Sequence, residues 1–206
     1  MTSVAPAIEL IQVRGIPIQL MRGGTGRPLL YLHSALSEVA WLPFHDLLAR
    51  HFEVYAPAHP GFGASEGLDR IQDMEDLVFH YLDLFDHWKW ERVSVVGLSL
   101  GGWIAAELAT RNRERIDRLV LVAAAGLHVP GTPMVEIFLD NSVWPDARAR
   151  LRRLCFYDPD APLAQAFLPD GEMAPDKLLL MFKARAAAAR VGWDPYFHNP
   201  RLRDRL

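Results

Sequence analysis

Short apolar runs alternate with amphipathic segments along the first 126 residues of the chain. The runs are about four to eight residues long, rich in Val, Ile and Leu, and bounded by glycine, proline or charged residues, which is typical of β-strands. The run PLLYLH is continuously apolar, as expected for a strand buried on both faces of a sheet. Two β-branched runs on either side of Gly15 predict a hairpin. Strands are predicted at 8–13, 16–21, 28–33, 52–56, 93–97 and 118–124.

The segments between these runs carry apolar residues at helical spacing. In 72–88, Leu77, Tyr81 and Phe85 lie on one face, and acidic residues occupy the first turn, where the helix dipole favours them. Helices are predicted at 39–50, 72–88 and 101–111. Strands that alternate with helices imply βαβ units and right-handed crossovers. The sequence therefore predicts an α/β fold with a mostly parallel sheet flanked by helices.

The pattern changes after residue 126, where prolines, aromatic residues and helix-forming stretches replace the buried-strand runs. We interpret 1–126 as the core, 127–200 as a helical lid after the sixth strand, and 201–206 as the start of further core. A chain of 206 residues is expected to form one domain with a modest insertion.

Composition excludes several classes of partner. Half of the residues are hydrophobic, and 22 basic against 25 acidic residues give a net charge of −3, which argues against nucleic acid and against an electrostatic membrane anchor. No run approaches a membrane span, and the N-terminus lacks the pattern of a signal peptide, so a cytoplasmic location is expected. One cysteine is too few for a zinc site, and the glycine pairs lack the full pattern of a dinucleotide or phosphate loop. No cofactor and no metal are expected.

The strongest chemical signal is GLSLG, in which Gly97, Ser99 and Gly101 form a G-x-S-x-G motif that closes a predicted strand and opens a predicted helix. Such a turn is so tight that side chains two residues before or after the serine would collide, hence the glycines. The helix N-terminus directs free N–H groups to the same place. The alternative is a glycine-rich turn with an incidental serine.

A second signal is His33-Ser34-Ala35-Leu36, directly after the buried strand 28–33. An acyl-transfer enzyme needs two backbone N–H donors for its oxyanion, and those of Leu100 and Ala35 are the candidates. We expect His33 to form structural hydrogen bonds rather than to act as a base. The alternative is that His33 and Ser34 only cap the following helix.

The segments PLLYLHSAL, AHPGFGAS and VVGLSLGGW resemble, in order and spacing, three motifs of the α/β-hydrolase superfamily. The likeness covers about residues 8–200 and is greatest to lid-bearing esterases and carbon–carbon bond hydrolases. It implies that Ser99 is the nucleophile, that Ala35 and Leu100 provide the oxyanion hole, and that a helical lid follows strand six. Ser34 departs from the pattern, because a glycine is usual there.

The resemblance places a catalytic acid after a seventh strand and a histidine after an eighth, in the order Ser, acid, His. No buried-strand run follows the lid, so we expect these two strands, about 60 residues, to be missing. His128 is expected to be a loop residue, and Asp194 with His198 a chance mimic of the triad order. Asp140 and Asp146 are expected to be solvated.

The aromatic and apolar residues of the lid favour an apolar or aromatic acyl substrate, although they also suit ordinary packing. The arginines at 148, 150, 152 and 153 are expected to form a solvated helix face rather than a carboxylate site. Cys155 is expected to be buried. Strand six would be an unpaired edge that invites a homo-oligomer. The chain is thus predicted to be a serine hydrolase of low activity or, alternatively, a non-catalytic protein that binds apolar ligands or a partner.

Overall fold

A six-stranded sheet with helices on both faces is the main feature of a computed structural model that describes residues 6–36, 39–132, 145–195 and 197–206. Two 3₁₀ turns, Leu68–Arg70 and Arg113–Arg115, connect elements. The strands are β1 Ala7–Val13, β2 Ile16–Gly23, β3 Arg27–Leu32, β4 Phe52–Pro57, β5 Val93–Leu98 and β6 Ile116–Val122. The helices are α1 Pro43–Leu48, α2 Met74–His87, α3 Leu100–Arg111, α4 Pro145–Cys155, α5 Pro162–Phe167 and α6 Pro175–Gly192.

The strand order in the sheet is β1-β2-β4-β3-β5-β6. The hairpin β1–β2 and the pair β2–β4 are antiparallel, whereas β3 pairs in parallel with β4 and β5, and β5 pairs in parallel with β6. The predicted mixed, mostly parallel sheet flanked by helices is therefore confirmed. Because β3 to β6 run in one direction, the loops that follow them meet at the same edge of the sheet, where parallel sheets hold their ligands.

Local sequence explains where the helices begin. Helix α2 starts after Asp73, whose carboxylate accepts hydrogen bonds from the N–H groups of Glu75 and Asp76. Helix α1 starts at Pro43, which suits the first helical position because it has no N–H to satisfy. The predicted helix at 39–50 was therefore too long, since the helix begins only at this proline and ends at Leu48. Strand β6 likewise ends at Val122, two residues earlier than predicted.

The larger apolar core lies between the sheet and helices α2, α3 and α6. From α6 it includes Ala184, Ala187 and Ala188, and α6 passes close to the turn after β4, with the Ala187 methyl 3.0 Å from the place a Cβ would take at Gly61. The second, smaller core covers the opposite face under α1. From 145 to 192 the described residues form three helices and no strand.

One buried charge on α3 is neutralised by an ion pair and hydrogen bonds. Glu107 on α3 is 2% exposed, and its carboxylate accepts hydrogen bonds from Trp103 Nε1 at 2.9 Å, Asn199 Nδ2 at 2.7 Å and the guanidinium of Arg111. These bonds join α3 to the C-terminal segment. None of the helices that the structure describes has the length and apolar character required to cross a membrane.

Candidate functional site

Ser99 lies at the junction of β5 and α3 in a backbone conformation that only a few non-glycine residues adopt, with φ 52° and ψ −114°. Its N–H donates to the Val122 carbonyl at 3.0 Å, and its carbonyl accepts from the N–H groups of Trp103 and Ala125, both at 3.0 Å. Such strain costs about 1–3 kcal/mol and persists only where the surroundings enforce it. The half-buried serine is thus held in a strained turn by both β6 and α3.

The glycines of the motif sit where no side chain fits. A Cβ at Gly97 would lie 2.3 Å from the carbonyl oxygen of Gly101, and a Cβ at Gly101 would lie 2.1 Å from that of Leu32. A Cβ at Gly102 would lie 2.6 Å from the Ala124 methyl. These close approaches let α3 begin directly against the ends of β3, β5 and β6, so Ser99 lies at the carboxyl edge of the sheet.

The loop after β3 packs against the first turn of α3. The Gly101 N–H donates to the His33 carbonyl at 3.0 Å. Ala35 and Leu100 are both buried, and within the described parts of the chain neither backbone N–H has a hydrogen-bond acceptor. Buried N–H groups are almost always paired in folded proteins, so these two donors are an exception that calls for an explanation.

Both ring nitrogens of His33 form hydrogen bonds with the backbone. Nδ1 lies 2.7 Å from the Ser34 carbonyl and therefore carries the proton, while Nε2 accepts the His59 N–H at 3.0 Å. The Ser34 hydroxyl accepts the Leu36 N–H at 3.0 Å, which tightens the same loop. The structure thus gives His33 a structural role, as expected, and accommodates Ser34 where a glycine is usual.

Two residues that were not predicted as part of the site, His59 and Tyr81, are fully buried beneath this loop. The His59 ring stacks on the His33 ring at 3.7 Å between centroids, its Nε2 donates to the His33 carbonyl at 2.8 Å, and its Nδ1 faces the Tyr81 hydroxyl. Burial above all, with the nearby His33, lowers the pKa of His59 well below its ordinary value, so the ring is neutral. The available signal was the position of His59, two residues after β4 and at the same edge as Ser99.

A cavity of about 300 Å³ lies between the loop after β3 and the helices α5 and α6. Two cations, Lys177 and Arg185, also line it. The other residues are apolar: Ala35, Leu36, Val39, Ala40, Ala166, Phe167, Leu168, Pro169, Met173, Leu180 and Met181. Ala35, which carries one of the two N–H donors without an acceptor, is part of this wall, whereas Ser99 and Leu100 are not.

Two of the four arginines of α4 do not belong to the solvated face that was predicted. Arg148 and Arg152 are 1% and 5% exposed, and Arg148 Nε donates to the Pro169 carbonyl at 2.8 Å. Arg152 donates to the Leu168 carbonyl and, at 2.8 Å, to Asp170. Burial is tolerated because the guanidinium groups satisfy carbonyls of the 168–171 loop, part of which lines the cavity.

The burial predicted for Cys155 was wrong. It is exposed, because α4 buries the face that carries Arg148, Leu151 and Arg152 instead. The exposed side of α4 includes Arg150 and Arg153, for which the prediction of a solvated face holds.

Among the described residues, the other acids and histidines considered from sequence form no triad with Ser99. Asp146 and Asp194 are exposed, whereas Asp140 lies outside the described residues. His128 and His198 face each other with ring centroids 5.0 Å apart, on segments joined by two backbone hydrogen bonds through Gly126. Among the described residues, none forms a hydrogen bond with Ser99 Oγ, and no group of three potential metal ligands occurs.

Residues 26–206 match the family model described as the alpha/beta hydrolase family. The chain is 36% identical over 147 residues to a 2-hydroxymuconate semialdehyde hydrolase of Pseudomonas sp. (strain CF600), which covers 68% of this chain and 50% of that protein. It is 34% identical over 131 residues, 62% of this chain and 45% of the relative, to a pimeloyl-[acyl-carrier protein] methyl ester esterase of Nitrosomonas europaea. The chain thus spans about half the length of these curated relatives.

Solved structures agree on the fold. The 2-hydroxy-6-oxo-6-phenylhexa-2,4-dienoate hydrolase from Rhodococcus sp. strain RHA1 superposes with a TM-score of 0.71 at 20% identity, over 96% of this chain and 76% of that one. A naproxen esterase from Bacillus subtilis gives 0.68 at 21% identity, over 96% and 65%. Because the family model matches residues 26–206, which is most of its length, the chain belongs to the alpha/beta hydrolase family.

Proposed function

We propose that this chain carries the nucleophile of a serine hydrolase that cleaves an ester or a related carbonyl substrate through an acyl-enzyme. Ser99 Oγ attacks the carbonyl carbon, and the negative charge that develops on the carbonyl oxygen is taken up by the N–H groups of Ala35 and Leu100. The tetrahedral intermediate collapses, the leaving group departs with a proton, and water then hydrolyses the Ser99 ester.

The observation that carries this proposal is the strained turn at Ser99, flanked by two buried N–H groups that have no acceptor in the described chain. Backbone donors held in place before the reaction need no reorganisation when charge develops. Removing one such donor typically lowers kcat by about 10²–10³. No protein group in the described residues needs these two donors, which fits a role toward a substrate oxygen.

The cavity beside Ala35 supports an apolar or aromatic acyl group. Eleven of its thirteen lining residues are apolar, and its volume of about 300 Å³ is at the lower end of the range for small-molecule sites. The relatives include carbon–carbon bond hydrolases and a methyl ester esterase, so both bond types are candidates for the scissile bond.

Reaction with a fluorophosphonate tests the proposal, because the N–H groups of an oxyanion hole favour attack of a neighbouring serine on phosphorus, and the reaction is expected to be slow without an adjacent base. We expect one adduct, located on Ser99 by peptide mass spectrometry and absent from Ser99→Ala. The matched control is Ser94→Ala, which removes a hydroxyl from the same strand and should leave the adduct in place. Absence of any Ser99 adduct in the wild-type chain would contradict the proposal.

We expect hydrolysis of p-nitrophenyl esters by this chain to be slow, since no described residue forms a hydrogen bond with Ser99 Oγ and a serine needs an adjacent base. The same observation favours a second candidate, a non-catalytic protein that binds apolar ligands in the cavity. Saturable binding of an apolar fluorophore without any covalent labelling would select the second function, whereas labelling of Ser99 selects the first.

A further inference from the structure

We infer that His59, oriented by Tyr81, is a positioning residue that aims the Ala35 N–H at the substrate oxygen. This inference rests on the proposed function, because it assigns the Ala35 N–H to the oxyanion. His59 does not line the cavity, and its ring forms hydrogen bonds with His33 and Tyr81 and lies edge-on to Phe62.

The hydrogen bonds fix one tautomer for each ring. The His33 carbonyl can only accept, so His59 Nε2 must carry the proton, and His59 Nδ1 must then accept from the Tyr81 hydroxyl. The backbone N–H of His59 can only donate, so His33 Nε2 must be unprotonated and Nδ1 carries the proton that goes to the Ser34 carbonyl. Both rings are therefore neutral, and each hydrogen bond runs in one direction.

This series of hydrogen bonds ends at the peptide group that contains the Ala35 N–H. The Ser34 carbonyl and the Ala35 N–H belong to one planar trans peptide and point in opposite directions. When the His33 ring holds the Ser34 carbonyl at 2.7 Å, it directs the Ala35 N–H to the side away from that ring. The direction of the donor thus depends on the orientation of the His33 ring.

His59 fixes that orientation in two ways. Its backbone N–H holds His33 Nε2, and its ring covers one face of the His33 ring while holding the His33 carbonyl. That carbonyl also accepts the Gly101 N–H, so the same atom ties the loop to the first turn of α3, beside Leu100. His59 therefore fixes the two donors relative to each other as well as the loop itself.

Two substitutions of His59 separate a hydrogen-bonding role from packing. His59→Gln keeps an N–H donor near the position of Nε2, whereas His59→Met fills a similar volume without a donor. We expect His59→Met to lower the maximal rate of Ser99 phosphonylation about tenfold, with little change in the half-saturating reagent concentration, because the cavity residues are untouched. His59→Gln should restore the rate to within about threefold.

Amide hydrogen exchange measured by NMR gives a readout that does not depend on reactivity. The Gly101 N–H should exchange about tenfold faster in His59→Met than in the wild-type chain, relative to the Val95 N–H in β5, and His59→Gln should reverse this change. Tyr81→Phe should also speed the exchange of the Gly101 N–H, but by a smaller factor. Because it removes a single oxygen atom, this variant can replace His59→Met if that protein fails to fold.

The two proposals fail in different ways. If wild-type Ser99 is not labelled, the proposed function fails, and exchange at Gly101 alone then decides the inference about His59. If His59→Met leaves both the labelling rate and the Gly101 exchange at wild-type values, or if His59→Gln restores neither, the positioning role is refuted.

Discussion

Gly101→Ala tests whether α3 begins against the end of β3, as the proposed site requires. In an ordinary helix the same substitution stabilises a protein by about 1 kcal/mol, since glycine is the poorer helix former. Here the new methyl carbon would lie 2.1 Å from the carbonyl oxygen of Leu32 and 2.6 Å from that of His33. Both neighbours are backbone atoms, which cannot turn aside as a side chain can.

The size of the effect follows from these distances. To bring the methyl group even to about 3.0 Å from the Leu32 oxygen, the helix must move by about 0.9 Å, and this motion weakens the 3.0 Å bond from the Gly101 N–H to His33. Overpacking costs about 1–3 kcal/mol, and a broken buried hydrogen bond about 1–3 kcal/mol more. After subtraction of the helix-propensity gain, Gly101→Ala should destabilise the fold by about 1–5 kcal/mol.

Urea unfolding followed by tryptophan fluorescence measures this difference. The control is Gly15→Ala in the β1–β2 turn, where no atom lies within 4 Å of the added methyl group and only the positive φ of 76° opposes it. That variant should lose about 1–2 kcal/mol. A Gly101→Ala protein as stable as the wild type, or more stable, would refute the packing of α3 described here.

Three further predictions concern charge and the sheet edge. Burial lowers the pKa of His45 and of His80 to about 4, so both stay neutral when folded while the unfolded chain gains protons below about pH 6.5. The buried His59 ring, whose pKa is also lowered, adds a third contribution in the same direction. Stability is therefore complete above that pH and should fall by about 4 kcal/mol between pH 7.5 and 5.5 in urea titrations, about 1.4 kcal/mol for each histidine. His80→Leu should remove about a third of this loss, and a stability that does not change with pH would disprove the prediction. Arg148→Met should lower the free energy of unfolding by at least about 1 kcal/mol in urea titrations, because it leaves carbonyls of the 168–171 loop without a donor. Arg153 is exposed, so Arg153→Met should lower it by less than about 0.5 kcal/mol. Equal losses in the two variants would count against the role of Arg148. Val120 is 49% exposed on β6, which is an edge strand, so the chain should self-associate through this edge in sedimentation experiments. Val120→Lys should reduce the self-association, and a wild-type chain that is monomeric at every concentration would contradict the prediction.

The serine turn was predictable because its cause is local. Gly97, Ser99 and Gly101 lie two positions apart, and the steric reason for the glycines holds for any strand that turns directly into a helix. The parallel sheet was predictable for a similar reason, since each buried strand is a short apolar run between helical patterns.

Contacts between distant parts of the chain could not be predicted in the same way, because no local sequence pattern indicates them. His59 lies 26 residues after His33 and 22 before Tyr81, and its position on the fold emerges only once β4 has paired with β3. The two buried arginines were misassigned because the pattern of α4 alone resembles a solvated face, and only the 168–171 loop supplies carbonyls that make their burial favourable.

A crystal structure of the fluorophosphonate adduct would show whether Ser99 and the N–H groups of Ala35 and Leu100 act on the same substrate oxygen. We expect phosphorus bonded to Ser99 Oγ, with its oxygen about 2.7–3.1 Å from the backbone nitrogens of both Ala35 and Leu100. An adduct on another residue, or an oxygen on Ser99 that faces solvent and touches neither N–H, would contradict it.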